Sequence, residues 1–419
     1  MLHKQEKRLW DAPLYADFAR GEYEERLRRA REKMAARGVD LLVFWDPANI
    51  RYFCGFHSLH WSALTLQPAV LLLPLERDPV LIVPDFFVGV AQGYTYLQDI
   101  RLQPKPHVTR NIRQLPVDVA DTVRELGCGR GRIGLETGWL GGMTAPRPIS
   151  DIDRFRAALD ATFVDACDLV WSCRSIKSPA EIEALRKATE AVVGAYGELV
   201  ADFRLGMGER DVGRMLRHAI LERTEDCAPP IATASSRRIP MPDTPSFYDE
   251  VTLSPGDRLV LEPLPTHKGY HGSCCRCFQI GPLPDEARRK AEGVDRAQAA
   301  AIAAIRPGVP AGNLMKVIDE ALHQEGMGST IEMAGHGVGL NPQEPPMIAE
   351  EEETVFEAGM VVAVEVWVVD WSGSSLEGVV PQVYGNEDLV VVTDRGCDPL
   401  PSFRRDIRSL PWEGGLGSA

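Results

Sequence analysis

Four residues able to move protons or hold charge stand in apolar or glycine-rich surroundings. Glu262 ends the run RLVLE, Glu365 lies inside GMVVAVEVWVV, Glu387 opens EDLVVVT, and His336 is part of AGHGVGL. A solvated surface role is hard to arrange for a carboxylate within an apolar strand, so these positions read as functional. For His336 the competing reading is a satisfied structural histidine, but glycines on both sides let the backbone approach a ligand closely. Three carboxylates in one pocket, with Asp243 as a fourth, raise one another's pKa, so the cluster keeps a proton or recruits a cation. A guanidinium, amidinium or quaternary ammonium group would supply that charge. Hydrolysis of an amidine-like C–N bond needs an activated water and a proton for the departing nitrogen. In this reading Glu365 or Glu262 orients the water, His336 shuttles the proton, and Glu387 binds the substrate cation.

These side chains need strands to carry them. Residues 256–281, GDRLVLEPLPTHKGYHGSCCRCFQIG, read as two strands of a hairpin, with Ser273 eleven residues after Glu262. Strand alternation puts Ser273, Cys275 and Cys277 on one face and Cys274 on the other. A reactive Cys275 would need a cationic neighbourhood, whereas this pocket is acidic, so small buried hydrophobes are the simpler account. CCxC also lacks the paired spacing of a zinc knuckle. Trp367 follows Glu365 by two residues and shares its face, where an aromatic wall would suit a cation. A plain core aromatic is the alternative. Arg276 reads equally as a structural partner of a buried carboxylate or as a catalytic group.

Further out, the chain divides by pattern. Residues 22–38 have helical periodicity with a glycine stop, and 39–45 form a buried strand. Asp46 caps the next segment, 69–76 and 79–85 form a hairpin-like pair, and 132–136 and 161–166 are further strands. This alternation indicates an α/β N-terminal domain over 1–170. Ser178-Pro179 then opens a long helix, and helices follow over 208–223, 284–306 and 311–326. Strands separated by helix pairs indicate an α+β domain over 171–419, with helices on one side of its sheet.

Composition narrows the function classes. The chain has 419 residues, 44% hydrophobic and 25% charged, which suits two folded domains. A formal net charge of -14 argues against nucleic acid as a partner. No apolar run reaches membrane-spanning length, and the N-terminal stretch lacks the apolar core of a signal peptide. Nine cysteines without framework spacing fit reduced thiols and a cytoplasmic location.

The ordered motifs resemble the creatinase / aminopeptidase P / prolidase family, whose catalytic domain has the pita-bread fold. They are DPANIRYFCGF (46–56), RSIKSPAEIEALRKA (174–188), the 256–281 hairpin, GHGVGL (335–340) with EPP (344–346), EAGMVVAVE (357–365) and NEDLVVVTDRG (386–396). The resemblance implies five side chains holding two divalent metals in the peptidases: two Asp, one His and two Glu. The corresponding residues here are Glu262, Ser273, His336, Glu365 and Glu387. A neutral Ser273 hydroxyl neither balances nor bridges dications well, and divalent ions of this type favour carboxylate and imidazole. Gln343 and Asp243 also stand where peptidase relatives carry His. The chain therefore resembles the non-peptidase branches, creatinase-like and ectoine-hydrolase-like, more than the dinuclear peptidases. The ectoine-hydrolysing branch implies substrate contact by Tyr270 and His271. The family's subunit arrangement implies a homodimer with sites near the interface, so His57, His60 and Trp61 are candidates for reaching a partner's site.

The resulting expectation is a hydrolase of a C–N bond in a small cationic compound, working without a cofactor. Room is left for one divalent ion, Mn, Zn or Fe, on Glu262, His336, Glu365 and Glu387. A metal-dependent Xaa-Pro dipeptidase or aminopeptidase is the alternative. A lyase and a catalytically inactive binding protein of the same fold stay open beside it.

Overall fold

The computed structural model describes residues 2–5, 8–58, 69–103, 108–138, 147–224, 234–235, 252–328, 332–370, 382–406 and 409–411. Two compact units divide between Arg174 and Ser175.

In the first unit the strands are β1 (His3–Lys4), β2 (Leu41–Phe44), β3 (Val70–Pro74), β4 (Val80–Pro84), β5 (Asp99–Gln103), β6 (Arg132–Leu135) and β7 (Thr162–Asp165). They form one mixed sheet in the order β1-β5-β4-β3-β2-β6-β7. The central strands β2, β3 and β4 are buried along their whole length, which is why they read as continuous apolar runs. Among the described residues six helices accompany them: α1 (Arg20–Arg37), α2 (Pro47–Cys54), α3 (Val88–Tyr94), α4 (Val108–Glu125), α5 (Ile149–Ala157) and α6 (Cys167–Arg174). α1 buries Tyr23, Leu27, Ala30 and Met34 at helical spacing and stops at Gly38, whose φ of 62° is left-handed. α2 starts where Asp46 accepts a hydrogen bond from the Asn49 amide, with Pro47 in its first turn.

The second unit is built on a nine-stranded sheet. Its path is β14 (Glu344–Met347), β13 (Gly335–Gly337), β15 (Val361–Asp370), β16 (Gln382–Val392), β12 (Cys274–Ile280), β9 (Arg258–Leu261) and β8 (Ala234–Ser235). β17 (Cys397–Pro399) pairs with β16, and β18 (Ser409–Leu410) pairs with β12. The expected simple hairpin over 256–281 needs correcting. β9 and β12 do pair antiparallel, with Leu261 opposite Arg276, but a small ladder of β10 (Thr266–His267) and β11 (Tyr270–His271) interrupts the connection between them. Its turn passes through Lys268 and Gly269, both at positive φ.

Four helices cover one face of this sheet: α7 (Pro179–Asp202), α8 (Glu209–Leu221), α9 (Asp285–Ala304) and α10 (Asn313–Gln324). α7 begins in a capping box, Ser178 with Glu181, and has Pro179 in its first turn. Val362, Val364, Val366, Val368, Tyr384 and Val390 pack with α9 and α10. Leu259, Leu261, Cys274, Phe278 and Ile280 pack with α7 and α8. Because side chains alternate, the odd-numbered residues of β15 and β16 and the even-numbered ones at the end of β9 turn to the other face. That face carries Glu262, Glu365 and Glu387.

Candidate active site

Register brings the carboxylates together. β15 and β16 pair so that Glu365 is the direct partner of Glu387, and β12 sets Cys275 opposite Glu387. His336 reaches the same face from β13, where it is the partner of Ala363. Its neighbour Gly335 has φ 140°, and a side chain there would run into the Ala363 carbonyl, so only glycine allows this pairing.

His336 Nε2 lies 3.2 Å from Glu365 Oε1, and His336 Nδ1 lies 2.9 Å from the Gly337 carbonyl oxygen. The Trp367 indole Nε1–H donates to Glu365 Oε2 at 2.9 Å. Glu387 is 1% exposed and makes no ion pair among the described residues; the Ser273 hydroxyl lies close enough to moderate its pKa, though without the geometry of a full hydrogen bond.

The electrostatics follow from that layout. Burial alone would lower the His336 pKa, but the Glu365 carboxylate outweighs it and the imidazole pKa is raised. Burial alone would raise the Glu365 pKa, and the His336 contact reverses this, holding Glu365 below the ordinary carboxylate value. Glu387 is pushed well above that value by burial first and then by the charges of Glu365 and Glu262. The arrangement therefore favours a proton on His336 and on Glu387 and an ionised Glu365. Cys275 is also pushed well up by burial and Glu262, so it is a thiol rather than a nucleophile.

The opposite face of the same strand shows how differently a satisfied carboxylate is treated. Asp388 receives Arg276 Nη2 at 2.7 Å and an Arg405 guanidinium nitrogen at 2.6 Å. Arg276 also donates to the Glu387 and Cys275 carbonyls, and it lies on the helix side of the sheet. Its contacts are those of a structural tie between β12 and β16.

Three other buried contacts hold the surrounding elements. Tyr196 of α7 places its hydroxyl 2.6 Å from the Leu261 carbonyl and 2.8 Å from that of Cys274, the residues next to Glu262 and Ser273. Tyr270 turns its hydroxyl to Glu181 at 2.7 Å, and the His271 amide donates to the Gly339 carbonyl. Lys177 Nζ is 3.3 Å from Glu344 Oε2, both side chains 1% exposed, fixing the turn that follows His336. Sequence reasoning missed Tyr196, Lys177 and Glu344 in these roles. It also missed Gly385, the partner of Trp367, although a glycine inside a strand signals close approach. Asp243, His60 and Trp61 lie outside the described residues, and His57 packs against Tyr94 with ring centres 4.2 Å apart and planes tilted by 58°.

The donors do not make a dinuclear metal centre. Ser273 supplies a neutral hydroxyl where a bridging carboxylate would be needed.

Comparison with known proteins agrees with the architecture. Residues 183–394 match metallopeptidase family M24, and residues 26–176 match the creatinase/prolidase N-terminal domain. The chain is 25% identical to an ectoine hydrolase from Halomonas elongata over 411 residues, 93% of this chain and 98% of that protein. It is 24% identical to an Xaa-Pro dipeptidase from Pyrococcus furiosus over 389 residues, 92% and 99% respectively. Among solved structures, a prolidase from Thermococcus sibiricus superposes with a TM-score of 0.77 at 20% identity, covering 93% of this chain and 99% of that one. An Xaa-Pro dipeptidase from Bacillus anthracis gives 0.76 at 22%, covering 93% and 100%. With the two family matches running nearly end to end, the chain belongs to metallopeptidase family M24, the creatinase, aminopeptidase P and prolidase group with the pita-bread fold.

Proposed function

We propose that this protein hydrolyses a C–N bond in a small, positively charged compound of creatine or ectoine type. The observation that carries the reading is Glu387: a buried carboxyl with no ion-pair partner among the described residues, paired across strands with a second carboxylate. A guanidinium or amidinium entering the pocket would let Glu387 ionise and would supply the donors its oxygens lack. The relation to an ectoine hydrolase supports the same substrate class.

In the reaction, Glu262 or Glu365 takes a proton from water as its oxygen bonds to the substrate carbon. The C–N bond then breaks, and the nitrogen leaves with the proton of the His336 imidazolium. Where Glu365 took the proton, transfer across the 3.2 Å contact to His336 restores the starting state; where Glu262 took it, Glu262 returns it to solvent water and His336 is reprotonated from solvent. Asp243, outside the described residues, is assigned a catalytic part beside these groups. Substrate contact is assigned to Glu387, His271 and Tyr270, with His60 and Trp61 completing the set from outside the described residues; Trp367, expected as an aromatic wall for the cation, gives its indole N–H to Glu365 and packs among Val260, Cys275 and Val383. A homodimer is proposed with it, supported by exposed apolar side chains of the first unit: Leu9, Trp10, Leu14, Tyr15, Phe86 and Val90. A cytoplasmic setting is proposed too, in keeping with described cysteines that form no disulfide. No helix among the described residues is long and apolar enough to cross a membrane.

The second reading is a dipeptidase of Xaa-Pro bonds using one metal on His336, Glu365 and Glu387, favoured by the relation to Xaa-Pro dipeptidases. Incubating the purified chain with creatine, ectoine and Ala-Pro, and following each by proton NMR, separates the two. Cleavage of a cationic compound supports the first reading; cleavage of Ala-Pro alone overturns it.

A further inference from the structure

Glu365 can work with His336 only if its carboxylate is held with one oxygen toward the imidazole. His336 faces Oε1, and the Trp367 indole N–H, which can only donate, takes Oε2. The indole is itself confined. Trp367 is 4% exposed, packed with Val260, Cys275 and Val383, and lies across the sheet from its strand partner Gly385. A Cβ added at Gly385 would fall inside the indole, against Cε3, Cζ3 and Cδ2. Glycine inside a strand gives up packing and backbone order, so its place under this ring answers a demand for space.

We infer that Trp367 is a positioning residue for Glu365, presenting the carboxylate to His336, and that Gly385 is the position that lets it do so. The turnover part of its test rests on the hydrolase reading above, while the contact itself does not. A buried indole N–H needs an acceptor, and the one it takes here is the carboxylate that meets the imidazole.

The test uses the full chain labelled with 15N-tryptophan. The Trp367 indole resonance is assigned by its loss in Trp367→Phe. Glu365→Ala is expected to shift that resonance and speed its hydrogen exchange, leaving the other indoles near their places; an unmoved resonance overturns the inference. On the compound that is turned over, Trp367→Phe is expected to lower kcat about 10- to 100-fold with KM nearly unchanged. Trp367→His, which keeps a ring N–H, is expected to recover part of the loss. Gly385→Ala is expected to lower kcat in the native background and to cost little more in Trp367→Phe, where the smaller ring leaves room. Additive losses, or a Trp367→Phe variant with native kcat and only a lower Tm, would refute it. Should no compound be turned over, the hydrolase reading fails and the indole resonance alone decides this one.

Discussion

Glu365 and Glu387 are direct partners across two central strands of the second unit, on the face turned away from the helices. Two buried carboxylates so placed cannot both stay charged without a counter-ion. The protein resolves this asymmetrically: Glu365 is paired with His336 and held low, and Glu387 makes no ion pair among the described residues and is pushed high. That asymmetry assigns the roles.

Glu387→Gln tests the cation-binding role. The amide removes the cost of keeping a proton on a carboxyl that the unfolded chain ionises, so thermal stability at neutral pH is expected to rise. Binding of the cation loses its charged acceptor, about 1.5–3 kcal/mol, or roughly 10- to 150-fold in Kd. Calorimetric titration and a melting curve check the pair of outcomes, and a destabilised variant with unchanged affinity would refute the assignment.

Ser273→Asp restores the carboxylate type that the family's metallopeptidases use. Buried beside Glu387, it is expected to cost about 1–3 kcal/mol in the presence of chelator, since a third charge enters an acidic pocket. Manganese should recover that loss in the variant and do little for the native chain. A variant that melts identically with and without manganese would show that Ser273 is not what separates this pocket from a metal centre.

Much of this arrangement was readable from single residues. Carboxylates inside VVAVEV and EDLVVV have no solvated position to occupy, and strand alternation alone sorts Cys275 from Cys274. Asp46 and Ser178-Pro179 announce their helices because capping is local chemistry. What stayed hidden spans the fold. Lys177 and Glu344 are far apart in sequence, Tyr196 meets Leu261 and Cys274 only after α7 packs on the sheet, and the Gly385–Trp367 match depends on the β15–β16 register. The β10–β11 excursion was missed because its two-residue strands are too short for periodicity to register.

The first unit carries its own pH dependence. Glu136 accepts from the Trp45 and Asp46 amides and from the Asn49 side chain, yet burial, with Asp46 adding to it, pushes its carboxyl up to about 8. The folded state then keeps a proton that the unfolded chain releases near the ordinary value of 4.5. Between those values the unfolded state binds fewer protons, so this contribution is full below the lower value and is lost as pH rises through the upper one. Thermal unfolding of the full chain across that window should show the decline, and Glu136→Gln should flatten it. Equal slopes in both proteins would contradict the assignment.

The central claim is that carboxylates and His336 perform C–N hydrolysis on a small cation without the family's two metals. Its most direct test is turnover of the cationic compound after exhaustive chelation, with the metal content of the same sample measured. The account predicts that kcat persists in protein holding far less than one metal per chain. Activity abolished by the chelator and restored by manganese or zinc would contradict it.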